Sequence, residues 1–414
     1  MRRESLLLGA ALTAIATPAR ADTICEWIDF GQSIQMSSAP ASAPVPTPAR
    51  DRIQTQVALA MFEATNAIDR RYESYLGMAA GSPRASQDAA AVSAAYRVLQ
   101  VHFPGQKTAL DENYLIAMEG IADQGARESG RAIGEAAAAL ALKSGQIDAG
   151  VVQVPYRPKT SPGVYVATPL PVLDPTYVAF KPWILPRVDA VRPAPPPPLT
   201  SERWARDYDE VKRLGGLRSS ERSAHQTLMA RYRITPNMMP AMRLAADAPS
   251  RRPVENARMF AMMAMAVDDA LMATAEAKMH YDFWRPITAI RNGSDDGNPA
   301  TEPDPAWEPL IQTPLHPEYP CGHCTQAGAI AEIMSAEIGP RPPGGVRVAS
   351  RSIPTSAVQA LPSWDEWVRQ VNFSRTLGGV HYRFSNEAGE EIGRKVARMA
   401  LANIMKPLER PRKR

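Results

Sequence analysis

The sequence predicts a mainly α-helical bundle with long proline-rich loops. Three observations carry this reading. Apolar and alanine-rich residues recur at helical spacing over most of the chain. Strand signals are few and short. Prolines crowd residues 150–199, where they remove backbone donors and block helix interiors.

Residues 52–72 open the helical series, with Val57, Met61, Ala64 and Ile68 near helical spacing. Alanine-rich helices are expected over 86–102 and 108–143. The second opens with Thr108 three residues before Asp111, a capping arrangement. Residues 150–199 culminate in Pro195 to Pro198, and their Tyr and Trp residues suggest an extended connection packed over the body. Helices resume over 201–214 and, rich in Met and Ala, over 253–279. One more starts at His323 and runs to 338. Ser363, with Glu366 three positions on, reads as a capping box for a helix to about Arg375. The last helix covers 386–404, where Glu390/Arg394 and Glu391/Lys395 have the favourable i,i+4 orientation. The expected division is an export signal over 1–21, an N-terminal helical part over 22–150, an extended connection over 151–199 and a helical core over 200–414.

With 414 residues the chain has ample material for a buried core. Apolar residues make up 45 % and charged residues 22 %, an ordinary balance, and the formal charge is only +4. With no dense basic cluster and no nucleic-acid motif, nucleic acid is not an expected partner. Arg410, Arg412, Lys413 and Arg414 form a short basic tail, read as a solvated end. Arg2 and Arg3, the apolar run from Leu6 to Ala16 and Ala19-Arg20-Ala21 fit an export signal whose cleavage leaves Asp22 first. The run is too short to span a bilayer, and the Met-rich stretch near residue 260 is interrupted by Asp268 and Asp269. A periplasmic or secreted protein without an integral membrane segment is expected. The cysteines are Cys25, Cys321 and Cys324. In an oxidising compartment the close pair could form a disulfide and leave Cys25 free.

Three blocks carry the chemistry. Lys278 and Arg285 lie seven apart, about two helical turns, and Pro286 places the helix end at or before Trp284, so that Arg285 sits at a helix mouth. Gly322-His323 opens a helix after the loop His316-Pro317-Glu318-Tyr319-Pro320, and a helix N-terminus directs unsatisfied N–H groups at an anion. Arg375 precedes Gly378-Gly379-Val380-His381, where paired glycines allow the backbone close to a ligand. Taken singly, each block has a plain alternative: two surface cations, one of them paired with Asp282, a histidine capping or packing a turn, a glycine-stopped helix with a solvated arginine. Together they supply three cations, a glycine amide and two imidazoles, a toolkit for a tetrahedral oxyanion.

The blocks resemble the signature of the superfamily of type 2 phosphatidic acid phosphatases and vanadium haloperoxidases. Lys278 stands six residues before Arg285-Pro286; Pro320-Cys321-Gly322-His323 follows; Ser374-Arg375 stands five residues before His381. The match spans residues 278–385, about a quarter of the chain. More softly, the helical N-terminal half, including Asn66-Ala67-Ile68-Asp69, looks like the bacterial haloperoxidase-like branch. The resemblance implies a helical bundle of the acid phosphatase/vanadium haloperoxidase type. It implies that Lys278, Arg285 and Arg375 neutralise the anion, that Cys321 and the Gly322 amide face it, that His381 is the nucleophile or the axial vanadate ligand, and that His323 is the general acid/base. His316, seven before His323, stands where bromide-oxidising members carry a second histidine. Two positions depart from the pattern. Cys321 replaces a serine. Ser385 replaces the aspartate that orients the nucleophilic histidine, with Asn386 or Glu387 as possible substitutes and the N-cap of the last helix as the plain reading of Ser385.

The function implied is halide oxidation by hydrogen peroxide at a His-bound vanadate. The alternative is a phosphomonoesterase with a phosphohistidine intermediate and no vanadate. In both the partners are small molecules: peroxide and halide, or a phosphomonoester. A thiol–disulfide oxidoreductase reading of Cys321-Gly322-His323-Cys324 lacks the strand–helix–strand setting. A catalytically silent oxyanion-binding protein is the remaining alternative.

Overall fold

The computed structural model describes residues 22–38, 47–144, 159–168, 180–353, 355 and 357–409. The expected export signal, the basic tail, and residues 151–158 and 169–179 of the proline-rich connection lie outside them. Thirteen α-helices are present among the described residues: α1 Thr23–Ser37, α2 Thr47–Ile68, α3 Gln87–His102, α4 Lys107–Glu119, α5 Gln124–Ser144, α6 Glu202–Gly215, α7 Ala224–Tyr232, α8 Met239–Ala246, α9 Pro253–Tyr281, α10 Pro286–Arg291, α11 Gly322–Ile338, α12 Trp364–Leu377 and α13 Arg383–Asn403. Three short strands, β1 Pro236–Asn237, β2 Val346–Ser350 and β3 Gln359–Leu361, form one antiparallel sheet in that order. Asn237 pairs with Ala349, and Val348 with Gln359. No helix among the described residues is long and apolar enough to cross a membrane.

Several expectations are refined. The helix read over 108–143 is two helices, broken at Gly120. Thr108 does not cap the first of them. The helix begins at Lys107, and Asp111 instead takes Lys107 and the Tyr96 hydroxyl. Helix α1 was not expected, although Ile24, Trp27, Ile28 and Ile34 recur at helical spacing and are buried. Ser363 caps α12 by accepting from the Glu366 amide, while the Glu366 carboxylate turns to Arg369. Glu390 pairs with Arg394 as expected, but Glu391 reaches Arg398 in place of Lys395.

Helix α9 is the central element. It packs against α2, α11 and α13. Its two buried carboxylates, which interrupt the methionine-rich run, anchor the proline-rich connection. Asp269 accepts from the backbone amides of Trp183, Ile184 and Leu185 at 2.8, 2.6 and 2.9 Å. Asp268 accepts from the Trp183 indole at 2.7 Å and pairs with Arg52 of α2 at 3.1 Å. Burial pushes the Asp269 carboxyl up to about 6, against the pull of the three amides. Residues 183–185 of the connection are therefore held onto α9. Farther along, Tyr281 and Tyr319 donate to the carbonyls of Pro193 and Ala194.

Helices α11 and α13 cross at backbone distance. A Cβ on Gly389 would lie 2.3 Å from the Cys321 carbonyl oxygen, and one on Gly393 would lie 2.0 Å from that of Thr325. Only glycine permits this approach. It fixes the loop that starts α11 against the start of α13, where His381 sits.

Candidate functional site

Helix α9 ends at Tyr281, and Asp282 takes a left-handed conformation with its amide on the Lys278 carbonyl. Lys278 thus lies in the last turn of α9, and its side chain is buried. Pro286 starts α10, and Arg285 is its N-cap residue, at a helix mouth as expected. Neither cation pairs with Asp282, which faces Lys159. Arg375 projects from the last turn of α12 and is 2 % exposed. His381 follows the turn made by Gly378 and Gly379, the latter at φ 75°. The Cys321-Gly322-His323 block caps and opens α11.

The loop 316–320 joins these parts. The Lys278 ammonium donates to the carbonyls of Pro317 and Glu318 at 3.0 and 2.7 Å. Arg285 Nε donates to the His316 carbonyl at 2.9 Å, Nη2 lies 3.0 Å from His316 Nδ1, and Nη1 donates to the Val380 carbonyl at 2.8 Å. Nη1 also lies 3.3 Å from His381 Nε2. The Tyr319–Pro320 peptide is cis. His323 Nε2 lies 2.9 Å from the Ile234 carbonyl, just before β1.

The second atom of the His381 ring has a partner that sequence reasoning missed. Glu318 Oε1 lies 2.6 Å from His381 Nδ1 and accepts from the Tyr382 amide at 3.2 Å. Ser385, in the first turn of α13 and not its N-cap, is fully buried, with its hydroxyl 3.5 Å from Nδ1. Asn386 is occupied with Asn372 and Thr376, and Glu387 with Arg203, so neither substitutes for the missing aspartate. The one available signal was the carboxylate at Glu318 itself, bracketed by prolines between His316 and His323.

The cluster is electrostatically strained toward an anion. Burial and the neighbouring Arg285 charge hold the Lys278 ammonium well below its usual range. Burial brings Arg285 down to about 10, and burial with the Arg285 charge brings Arg375 down to about 9. The Arg375 charge, followed by burial, depresses His323 to about 3. Burial and the charges of Lys278 and Arg285 keep His316 and His381 neutral. Burial pushes Glu318 up to about 7, against the pull of Arg285 and Lys278. These couplings place Lys278, Arg285, Arg375, His316, His323 and His381 within reach of one another's fields. Arg375 Nε and Nη1 have no hydrogen-bond partner among the described residues. A buried guanidinium with unspent donors is costly unless an anion takes them, so the residues fit an oxyanion such as vanadate or phosphate. A Cβ on Gly322 would meet only Leu271, at 3.8 Å, so close packing does not dictate glycine there. The Cys321/Cys324 pair forms the disulfide that its spacing allowed. The Cys321 sulfur is bonded to that of Cys324 and accepts from the Cys324 amide, so it has no S–H to donate. The free cysteine is Cys25, which is buried.

Anion binding should therefore draw protons from solution. The three imidazoles are depressed by neighbouring positive charge, and an oxyanion reverses that field and raises their affinity for protons. Calorimetry of orthovanadate or phosphate binding near pH 7, in buffers of different ionisation enthalpy, is expected to show net uptake of roughly one proton. Net release, after correction for the ion's own ionisation, would contradict the electrostatic account.

Residues 258–410 match the family described as the VCPO second helical-bundle domain. A stretch of 88 residues, 19 % of this chain, is 35 % identical to the vanadium chloroperoxidase of Curvularia inaequalis, and it spans 14 % of that protein. Among solved structures, a bacterial vanadium-dependent iodoperoxidase superposes with a TM-score of 0.75 at 19 % identity, covering 94 % of this chain and 98 % of the other. A bacterial vanadium-dependent chloroperoxidase in its holo form superposes with a TM-score of 0.69 at 18 % identity, covering 88 % and 94 %. These structural likenesses bear on the fold, and the matched domain over residues 258–410 places the similarity to vanadium chloroperoxidase in the part of the chain that carries the three residue blocks.

Proposed function

We propose that this protein is a vanadium-dependent haloperoxidase-type enzyme that oxidises halide with hydrogen peroxide at a vanadate attached to His381. The observation that carries the reading is the His381 ring. Its Nδ1 is engaged by Glu318, and its Nε2 faces Arg285 within the cluster of buried cations. Vanadate, when bound, supplies a Lewis-acidic centre that activates peroxide toward halide. His381 Nε2 is the atom available to ligate it. Arg375, with two unspent donors, meets the oxygen atoms together with the third ammonium proton of Lys278. The Gly322 amide, at the start of α11, adds a neutral donor. His323 is neutral before the anion arrives and takes up a proton beside it, which suits it to general acid/base work. His316 Nδ1 lies 3.0 Å from both Arg285 Nη2 and the Pro317 carbonyl, which seats the ring beside the guanidinium. The Cys321–Cys324 bridge supports export to an oxidising compartment, periplasmic or secreted.

The same cradle would serve a phosphohistidine, so the test runs both chemistries in parallel. Bromide oxidation with peroxide is measured with and without orthovanadate, and release of phosphate from a phosphomonoester is measured under the same two conditions. Orthovanadate is expected to switch on the first reaction. Phosphate release that orthovanadate inhibits, with no bromide oxidation, would replace the haloperoxidase reading by the phosphatase one.

A further inference from the structure

We infer that Glu318 is the positioning residue for His381, and that it does from the loop before α11 what the superfamily signature gives to an aspartate at the place of Ser385. The inference rests on His381 being the reactive histidine. Three observations carry it. The Glu318 carboxylate is 2.6 Å from Nδ1, whereas the Ser385 hydroxyl is 3.5 Å away, beyond a good hydrogen bond. The carboxylate accepts only from an Nδ1–H tautomer, and that tautomer leaves the Nε2 lone pair toward Arg285 Nη1, 3.3 Å off. Finally, Glu318 is itself fixed. Its amide donates to the Phe283 carbonyl at 2.8 Å, its carbonyl accepts from Lys278, its carboxylate takes the Tyr382 amide, and prolines stand on the loop to either side.

The two positions are alternatives for one job. Ser385 is fully buried, and its carbonyl accepts from the Cys321 amide at 3.1 Å, so the first turn of α13 is tied to the loop. An aspartate at 385 would bring a second buried carboxylate against that of Glu318, and like charges sharing one site repel. Serine at 385 and glutamate at 318 therefore belong together. A carboxylate on the ring nitrogen remote from the bonded one fixes the tautomer and the ring plane and raises the basicity of the ligating nitrogen.

The test uses the full chain and two readouts. Nitrogen NMR of the protein without added anion reports the His381 tautomer, and calorimetry reports orthovanadate affinity. The wild type is expected to show the Nδ1–H form. Glu318→Gln should mix the tautomers and weaken orthovanadate by about 10–100-fold. Ser385→Ala, which removes a hydroxyl on the Glu318 carboxylate and a long contact to His381, should lose clearly less than Glu318→Gln. Adding Ser385→Asp to Glu318→Gln should recover most of the loss, an effect that a merely structural glutamate would not produce. If Glu318→Gln does not fold, as judged by circular dichroism, Glu318→Asp carries the same prediction with the carboxylate withdrawn by one methylene. The inference is overturned if the glutamine variant keeps both tautomer and affinity, or if Ser385→Ala loses as much as Glu318→Gln. Should the wild type bind no orthovanadate, the proposed function falls, while the tautomer comparison still decides the role of Glu318.

Discussion

Replacing His381 with alanine is expected to lower turnover by at least roughly a thousandfold and to abolish tight orthovanadate binding. Its Nε2 faces Arg285 with the lone pair available when the opposite nitrogen donates to Glu318. His323 is held by the Ile234 carbonyl at the start of α11, and His316 is held by Arg285. In the proposed role His381 bonds the reacting centre, and losing it removes an interaction on which the others act as a unit, so the expected loss is far larger than one hydrogen bond. Folding should survive. The Glu318 carboxylate keeps the Tyr382 amide and the opposing charges of Arg285 and Lys278. The cost of an imperfectly paired polar group is about 1–3 kcal/mol. Steady-state rates with orthovanadate present, beside a thermal melt, check both halves. Equal rates in variant and wild type would remove His381 from the chemistry.

Arg375→Met should move binding and stability in opposite directions. The side chain is 2 % exposed, and two of its donors have no partner among the described residues. Burial and the Arg285 charge both disfavour its cationic form. Such a charge costs free energy in the empty protein and returns it only when an oxyanion arrives. Methionine has similar length and fills the space without the charge. The anion-free variant is therefore expected to be more stable by about 1 kcal/mol or more, because apolar replacement of poorly compensated buried charge is often stabilising by that amount. Orthovanadate or phosphate affinity should fall by at least about tenfold, the loss of one charge-assisted contact. Denaturant midpoints and calorimetry separate the two effects. A variant both weaker in binding and less stable would mean that Arg375 has a structural partner.

The sequence revealed much of this site because its three blocks are short continuous strings. Lys278 and Arg285 flank one helix end, Gly322 and His323 open another helix, and Arg375 and His381 flank a glycine turn. Each geometry follows from local rules of capping, proline and glycine. Glu318 was not legible because its contact with His381 spans 63 residues and depends on how two loops fold together. The vacancy at 385 was visible, but the search for a substitute went to Asn386 and Glu387, neighbours in the chain and not in space. The same limit applies to the fold. The long periodic helices of the core were readable, and their ends fall close to expectation. The break at Gly120 was hidden by alanine-rich sequence on both sides, and strands of two to five residues are too short to display alternation. Asp268 and Asp269 read as interruptions of an apolar run, yet they are the anchor for the segment that covers it.

The glycine-lined crossing of α11 and α13 sets the span between the imidazoles of His323 and His381. With Gly389 and Gly393 in backbone contact with α11, the two helices interlock closely, and His323 at the start of α11 and His381 just before α13 are carried by this packed pair. A single methyl group added at position 389 would press on the Cys321 carbonyl and displace the start of α11, shifting His323 relative to His381 while touching neither imidazole.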